Sequence, residues 1–246
     1  MIIAATGDVH SPRHYESFVK AVDDLVAKGI RPDLFMITGD MVFRGNVEEY
    51  DKINNALFGK ITCPIIACFG NNEYIELREG LKQKFSNIRF LDDQVINFPL
   101  KISGAMRERN IGIIGTTGSL ETPTPWQASN IPNISNIYHN RYEFVGRQLS
   151  YMKGDYRILL MHYAPTYKTL EGENPRYYGS MGWNVYENAI TKYKPDLVIH
   201  GHAHRGKKQA WIEKTPVFNV CLPLNKDIVI IETNKLKPGL ERFVGD

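Results

Sequence analysis

Cysteine is scarce in this 246-residue chain: Cys63, Cys68 and Cys221 include no Cys-x-x-Cys pair. Three thiols cannot all pair with one another, which argues against a disulfide framework, and a closed cysteine-rich zinc module would lack ligands. Cys63 and Cys68 flank or lie in an apolar run, where buried, reduced thiols are expected; a reducing cytoplasm suits them best. Long apolar runs are missing too. None approaches the ~20 residues that a membrane span needs, so no membrane partner is expected. The leading residues carry neither a basic segment nor a small-residue cleavage site, and the first polar motif begins by Asp8. Removing a presequence would remove that motif, so the expectation is an uncleaved, cytoplasmic protein. A large excess of one charge is also absent: a net +3 is too small to argue for nucleic acid or an acidic membrane surface. No repeat, low-complexity stretch or linker divides the chain. With 43% hydrophobic and 23% charged residues, residues 1–246 are expected to form a single α/β unit with a substantial core.

The first third alternates between two periods. Ile2–Ala5, Leu34–Ile37 and Ile65–Phe69 are short apolar runs that read as buried strands. Between them, Phe18, Val19, Val22, Leu25 and Val26 form one helical stripe, stopped by Gly29, and Tyr50, Ile53 and Leu57 form another. A β-α-β-α-β run implies parallel neighbours joined by right-handed crossovers. The middle is expected to add strands near 88–91, 95–100 and 111–114, which makes the sheet arrangement mixed. Val145, Leu149 and Met152 predict a further helix, as do Trp183, Tyr186, Ala189 and Ile190. Strands are expected at 158–161, 197–199, 217–220 and 228–231. Two stretches, 116–138 and 163–182, are rich in Pro, Asn, Gly and aromatics and read as long irregular loops, which in compact domains are usually functional or disordered.

Five polar clusters stand directly behind apolar runs: Asp8-Val9-His10, Gly39-Asp40, Gly70-Asn71-Asn72-Glu73, His162 and Gly201-His202-Ala203-His204. In open α/β folds ligands collect just beyond the carboxyl ends of parallel strands. Asp8 and His10 are two apart, so an extended backbone turns both to one side, although alone this pair is more often a surface Asp and a capping His. Asp40 alone is commonly a turn or helix-capping residue, yet its two oxygens can bridge two cations, which imidazole cannot do. Asn71 can offer an amide oxygen, but Gly-Asn is also a common turn pair. His202 and His204, one residue apart after Gly201, are more often ligands than packing residues. Together the five clusters spell out a two-metal site. His200 reads as a buried strand-end residue, with a supporting role beside the ligands as the alternative; His14 and His139 are expected at helix ends or surfaces.

This order of motifs resembles the calcineurin-like metallophosphoesterase superfamily over most of the chain, from Asp8 to His204. The resemblance implies a four-layer sandwich of two mixed sheets flanked by helices. It implies that Asp8, His10 and His204 hold a first metal, that Asp40 bridges, and that Asn71, His162 and His202 hold a second. It further implies hydrolysis of a small phosphorylated substrate by a metal-bound hydroxide, with cations ~3.5–4 Å apart. The donor set suits Mn²⁺, Fe or Zn²⁺. Gly115-Thr116-Thr117-Gly118-Ser119, followed by Pro123 and Pro125, is similar to a substrate-side loop of the branch related to cyclic-nucleotide phosphodiesterases.

Two positions depart from the family pattern. Phe43 stands where a second Asp is frequent. Asn72 replaces the catalytic His that follows the ligand Asn, whereas Glu73 keeps the acidic residue after it. An amide can bind phosphate but cannot protonate a leaving group, and general acid catalysis is typically worth about 10²–10⁴-fold. Family members with a non-His residue here include diesterases, so Asn72 is expected to orient phosphate in a phosphodiesterase. Arg44, Arg205, Arg176 and Tyr163 could contact substrate, and Trp126, Tyr177 and Tyr178 could stack on a ring; surface exposure or packing is the ordinary alternative for each. The alternative function is a metal-binding scaffold like the retromer subunit of this superfamily, which also lacks the catalytic His. The complete ligand set argues for the enzyme.

Overall fold

The computed structural model describes residues 1–236; residues 237–246, the end of the expected single unit, lie outside the described residues. The chain opens with β1 (Ile2–Thr6), α1 (Tyr15–Ala27), β2 (Leu34–Ile37), α2 (Val47–Leu57), β3 (Ile65–Cys68), α3 (Ile75–Lys84) and β4 (Ile88–Leu91). It continues through β5 (Gln94–Leu100), β6 (Arg109–Thr116), α4 (Pro125–Asn130), α5 (Ile134–Tyr151) and β7 (Tyr156–Met161). After α6 (Tyr186–Tyr193) come β8 (Leu197–His200), β9 (Gln209–Ile212), β10 (Thr215–Asn219), the short α7 (Leu222–Asn225) and β11 (Val229–Glu232).

Two mixed sheets result. One has the order β11-β1-β2-β3-β4, parallel throughout except for the antiparallel edge β11. The other has the order β5-β6-β7-β8-β10-β9, with a parallel centre and antiparallel edges β5 and β9. Leu34 and Met36 of β2, with Ile3 and Ala5, meet Ile111, Ile113, Ile158, Leu160, Leu197 and Ile199 of the facing sheet. The alternate residues Phe35 and Ile37 turn to α1 and α2, packing with Phe18, Val22, Tyr50 and Ile53. On the far side Leu159, Met161 and Val198 pack on α5 and α6. Central strands covered on both faces read as unbroken apolar runs because each side chain, whichever way it points, enters a core. This is the expected four-layer α/β sandwich.

Several local expectations need correction. Val26, placed in the α1 stripe, is 47% exposed, because it lies about a quarter-turn from the centre of the buried arc. The stretch 116–138 is not one loop. It contains α4, whose Thr124 caps the helix in a capping box with Gln127 and carries Pro125 at its first turn, and it ends in α5. Thr124-Pro125-Trp126-Gln127 carries this helix start in its sequence. Helix α3 shows no apolar stripe in the sequence because its buried face is small, with Arg78 and Leu81 its buried residues. The stretch 163–182 is irregular apart from the 3₁₀ turns Tyr167–Thr169 and Pro175–Ser180.

Candidate metal centre

The parallel strands of both sheets end at one edge of the sandwich, and each polar cluster leaves from such an end. Asp8 follows β1, Asp40 follows β2, Asn71 follows β3, His162 follows β7, and His202 and His204 follow β8. Backbone hydrogen bonds knit neighbouring loops together: Asp8 N donates to Gly39 O (2.9 Å) and His10 N to Asp40 O (2.9 Å). Across the two sheets, His202 N donates to Asp8 Oδ2 at 2.9 Å. Asp8, His10, Asp40 and His202 all adopt left-handed backbone conformations, with φ of 58°, 46°, 52° and 67°. Such residues are uncommon outside glycine and cluster at functional sites, where surrounding structure holds them. Space is equally specified. A Cβ on Gly70 would stand 2.1 Å from Asp40 Oδ1, and one on Gly201 2.3 Å from Asp8 Oδ2.

Two overlapping donor sets form: Asp8, Asp40, His162 and His202, and Asp8, His10 and His204, with the ligand atoms of each set within 4.8 Å of one another. Asp8 belongs to both sets. Asp40 Oδ2 also reaches both, at 3.9 Å from His10 Nε2 and 3.5 Å from His162 Nε2. Asn71 joins through its amide oxygen, 3.1 Å from His162 Nε2. The expected ligand residues are therefore brought together in full.

The donors fit divalent cations on their own chemistry. His162 Nδ1 lies 2.8 Å from Thr38 O; donating there leaves the Nε2 lone pair facing the Asn71 oxygen, acceptor to acceptor. His10 and His204 present their Nε2 atoms to each other at 3.4 Å. A cation between His162 and Asn71 relieves those opposed lone pairs. Burial pushes the Asp40 carboxyl well above the usual carboxylate range, reinforced by Glu73 and Asp8 nearby. Burial favours neutral, ligating imidazoles, lowering His162 and His202 and bringing His10 down to about 4. Burial would raise Asp8 as well, but its His204 hydrogen bond and the surrounding imidazoles outweigh it and hold Asp8 ionised. His204 is the one raised imidazole: burial opposes its charge, and Asp8 overcomes it.

Asn72 and Glu73 build the frame. The backbone N–H of Asn72 donates to Asp40 Oδ1 (2.7 Å) and its side-chain Nδ2 to Asp40 Oδ2 (2.6 Å). Asn72 Oδ1 accepts from Arg44 N at 3.0 Å. Buried Glu73 accepts from Gly70 N, Asp40 N and Met41 N at 2.7–2.8 Å. Arg78 then ties the Glu73 and Gly70 carbonyls to Asp92. Arg78 and Asp92 were not anticipated, since their spacing carries no pattern.

Two cavities open over the centre and share Asn71, Asn72 and His202. One, about 520 Å³, is lined also by Arg44, Tyr74, Trp126 and Gln127; the other, about 360 Å³, by His204, Arg205 and Glu173. Arg44 and Arg205 thus border different lobes. Tyr163 is only 2% exposed; its ring packs edge-on to His202 at 4.9 Å, and its hydroxyl accepts from Gln127. Arg176 and Tyr177 are exposed on a 3₁₀ turn, and Tyr178 packs near Ala164 and Ala203. In the Gly115–Ser119 stretch, Thr116 bonds Asp93 and Ser119 bonds Tyr138 and Tyr186. It is Leu120, just beyond, that lines the larger cavity. His200 is fully buried at the end of β8, its Nδ1 on Gly201 O; His14 precedes α1, and His139 is exposed on α5.

The sequence model of the calcineurin-like phosphoesterase family matches residues 1–206. A probable cyclic nucleotide phosphodiesterase of Moraxella catarrhalis (strain BBH18) is 35% identical over 68 residues, spanning 28% of this chain and 24% of that protein. The shared stretch is thus about a quarter of the relative's length. Among solved structures, phosphopantetheinyl hydrolase from Mycobacterium tuberculosis aligns over 89% of this chain and 88% of its own with a TM-score of 0.62 at 13% identity. GAP50, the anchor in the inner membrane complex of Plasmodium, aligns over 91% and 72% with a TM-score of 0.60 at 14% identity. A putative 5′-nucleotidase from Staphylococcus aureus aligns over 89% and 48% with a TM-score of 0.58 at 17% identity. At such identities the likeness is one of fold; membership rests on the family match over residues 1–206, and this chain belongs to the calcineurin-like phosphoesterases.

Proposed function

We propose that this phosphoesterase holds two divalent cations (Mn²⁺, Fe or Zn²⁺) and hydrolyses small phosphodiesters in preference to monoesters. Asp8, His10 and His204 would hold one cation, Asn71, His162 and His202 the other, with Asp40 between them. The observation that carries the reading is the pair of overlapping donor sets within 4.8 Å, with Asp40 Oδ2 in reach of a histidine from each. Paired cations supply a nucleophile at neutral pH and neutralise charge on phosphoryl oxygens.

The chain's own groups set the preference. Asn72 uses one side-chain N–H on Asp40; its second N–H is left for a phosphoryl oxygen, and neither is a proton it can give away. A leaving group must therefore depart without an acid at this position, which favours esters of acidic alcohols and phenols. Arg44 and Arg205, at the rims of the two lobes, would bind phosphate oxygens by charge-assisted hydrogen bonds. Tyr163 acts behind them, holding the His202 ring. The cytoplasmic assignment from the reduced cysteines belongs to the same reading.

The test strips the protein of metal, reloads it with Mn²⁺, Zn²⁺ or Fe²⁺, and counts bound ions. Hydrolysis of bis(p-nitrophenyl) phosphate is then compared with that of p-nitrophenyl phosphate. Cation-dependent diester cleavage with two ions per chain is expected. Two ions and no turnover with any metal would sink the reading and favour the scaffold alternative, for which the engagement of Asn72 with Asp40 and Arg44 is the specific observation.

A further inference from the structure

Beside the metal centre, between α3 and the α4–α5 segment, runs a third cleft of about 380 Å³, within the size range of ligand pockets. Its walls include Ile75, Trp126, Ile131, Ile134, Ile137 and Tyr138. Asn71, Tyr74, Trp126, Gln127 and Tyr163 line both this cleft and the larger cavity over the metal ligands. The two spaces therefore adjoin along these side chains. At the mouth Ile75 and Trp126 are 60% and 62% exposed, an unfavourable state for two large apolar side chains that a ligand would relieve.

The buried polar groups of the wall are largely committed, whereas Glu76 of the lining is exposed. Arg78 is bonded to Asp92 and two carbonyls, and Arg141 to Asp93 and Gly118 O. Gln127 donates to Tyr163 and accepts from Thr124 N, and Asn130 donates to Trp126 O. Among the described residues, Thr117 Oγ1 is the one buried side-chain polar atom of this wall left without a partner. A nucleobase in the buried part of the cleft would leave most of its hydrogen-bonding edge unpaired, which costs far more than a missing apolar contact. An alkyl chain asks for nothing the wall cannot give.

We propose that this cleft receives the alkyl chain of a phosphodiester whose phosphate lies at the metal centre, so that the preferred substrate class is an alkyl phosphodiester. The proposal rests on the phosphodiesterase reading above for its substrate and on the cleft itself for its chemistry. The test has two arms. In the first, the Mn²⁺-loaded protein hydrolyses a series of alkyl p-nitrophenyl phosphates from methyl to octyl, with thymidine 5′-p-nitrophenyl phosphate alongside. The kcat/KM is expected to climb by up to about fourfold per methylene until the cleft is filled, and the nucleoside ester should stay near the methyl ester. Ile75→Gln and Ile131→Gln should each lower the octyl-to-methyl ratio at least tenfold; a ratio taken within one variant cancels any general loss of activity. A flat series, or a thymidine ester preferred to the octyl ester, overturns the proposal, the latter in favour of a base subsite.

In the second arm, tryptophan fluorescence follows titration with octylphosphonate and methylphosphonate, with and without Mn²⁺. Trp126→Phe identifies the reporting side chain, and thermal melts confirm folding of each variant. Saturable, chain-length-dependent binding lost in Ile131→Gln is expected. If no ester turns over but this binding is seen, the subsite stands and the phosphodiesterase reading falls. If chain length makes no difference to binding, the subsite is overturned whatever the enzyme does.

Discussion

Asp40 sits under two hydrogen bonds from Asn72, beside Glu73 and Asp8, with its carboxyl raised by burial; that is an unfavourable place for a carboxylate unless cations are near. Asp40→Ala should abolish metal-dependent hydrolysis and lower the number of bound ions, read by elemental analysis. Asn72→His restores a proton donor and should raise turnover of a phosphate ester with a poor, alkyl leaving group, up to about 10²-fold, while the p-nitrophenyl esters gain little. Glu73→Gln turns one acceptor into a donor facing amide N–H groups and should cost about 1–3 kcal/mol in urea unfolding. Cys63 offers a pH test away from the centre, because burial pushes its thiol up to about 11. At pH 8 its alkylation should be about a hundredfold slower folded than unfolded. The unfolded thiol titrates near 9.0, so its contribution to stability is whole below that pH and is lost as pH rises towards 11. Asn72 was legible as a departure from the family, whereas its grip on Asp40 was not, since 32 residues separate them.

At the level of elements, the site depends on where strands stop. Strands β1, β2, β3, β7 and β8 each hand over to a residue of the candidate centre within three residues, and the tight exits are made by Gly39, Gly70 and left-handed non-glycine residues. Gly70→Ala would drive a Cβ into Asp40 Oδ1 and the Asp40 backbone N, at 2.1 and 2.5 Å. It should weaken metal binding at least tenfold by calorimetric titration, with the folded state retained. The strands themselves were readable because burial on both faces leaves long apolar runs with no polar alternation. The α4 capping box was readable too. The left-handed conformations at Asp8, His10, Asp40 and His202 were not, because local sequence alone would place none of them there.

Across the whole molecule, the centre joins the two sheets: Asp8, Asp40 and Asn71 come from one, His162, His202 and His204 from the other. Cations that bind only when both sheets are docked should stabilise the fold as a unit. Mn²⁺ at a hundred times its dissociation constant adds about 2.7 kcal/mol per site, which in a chain of this size raises the melting temperature by about 5–10 °C. Scanning calorimetry with and without metal, and with Asp40→Ala, measures it; an unchanged melting temperature would argue against sites shared between sheets. Among the described residues no helix is long and apolar enough to cross a membrane.

Most of the strands, their two-sided burial and the polar clusters that form the candidate centre followed from the sequence alone, because periodicity and residue chemistry are local properties that survive without coordinates. What the tertiary structure decided is everything that needs distant segments to meet. It set Asp8 as common to both donor sets, committed Asn72 to Asp40 and Arg44, and turned Tyr163 inward against His202. It also opened an apolar cleft beside the centre from side chains of α3, α4 and α5. Such contacts depend on how two sheets and their helices pack, and packing is a long-range outcome that no window of sequence contains.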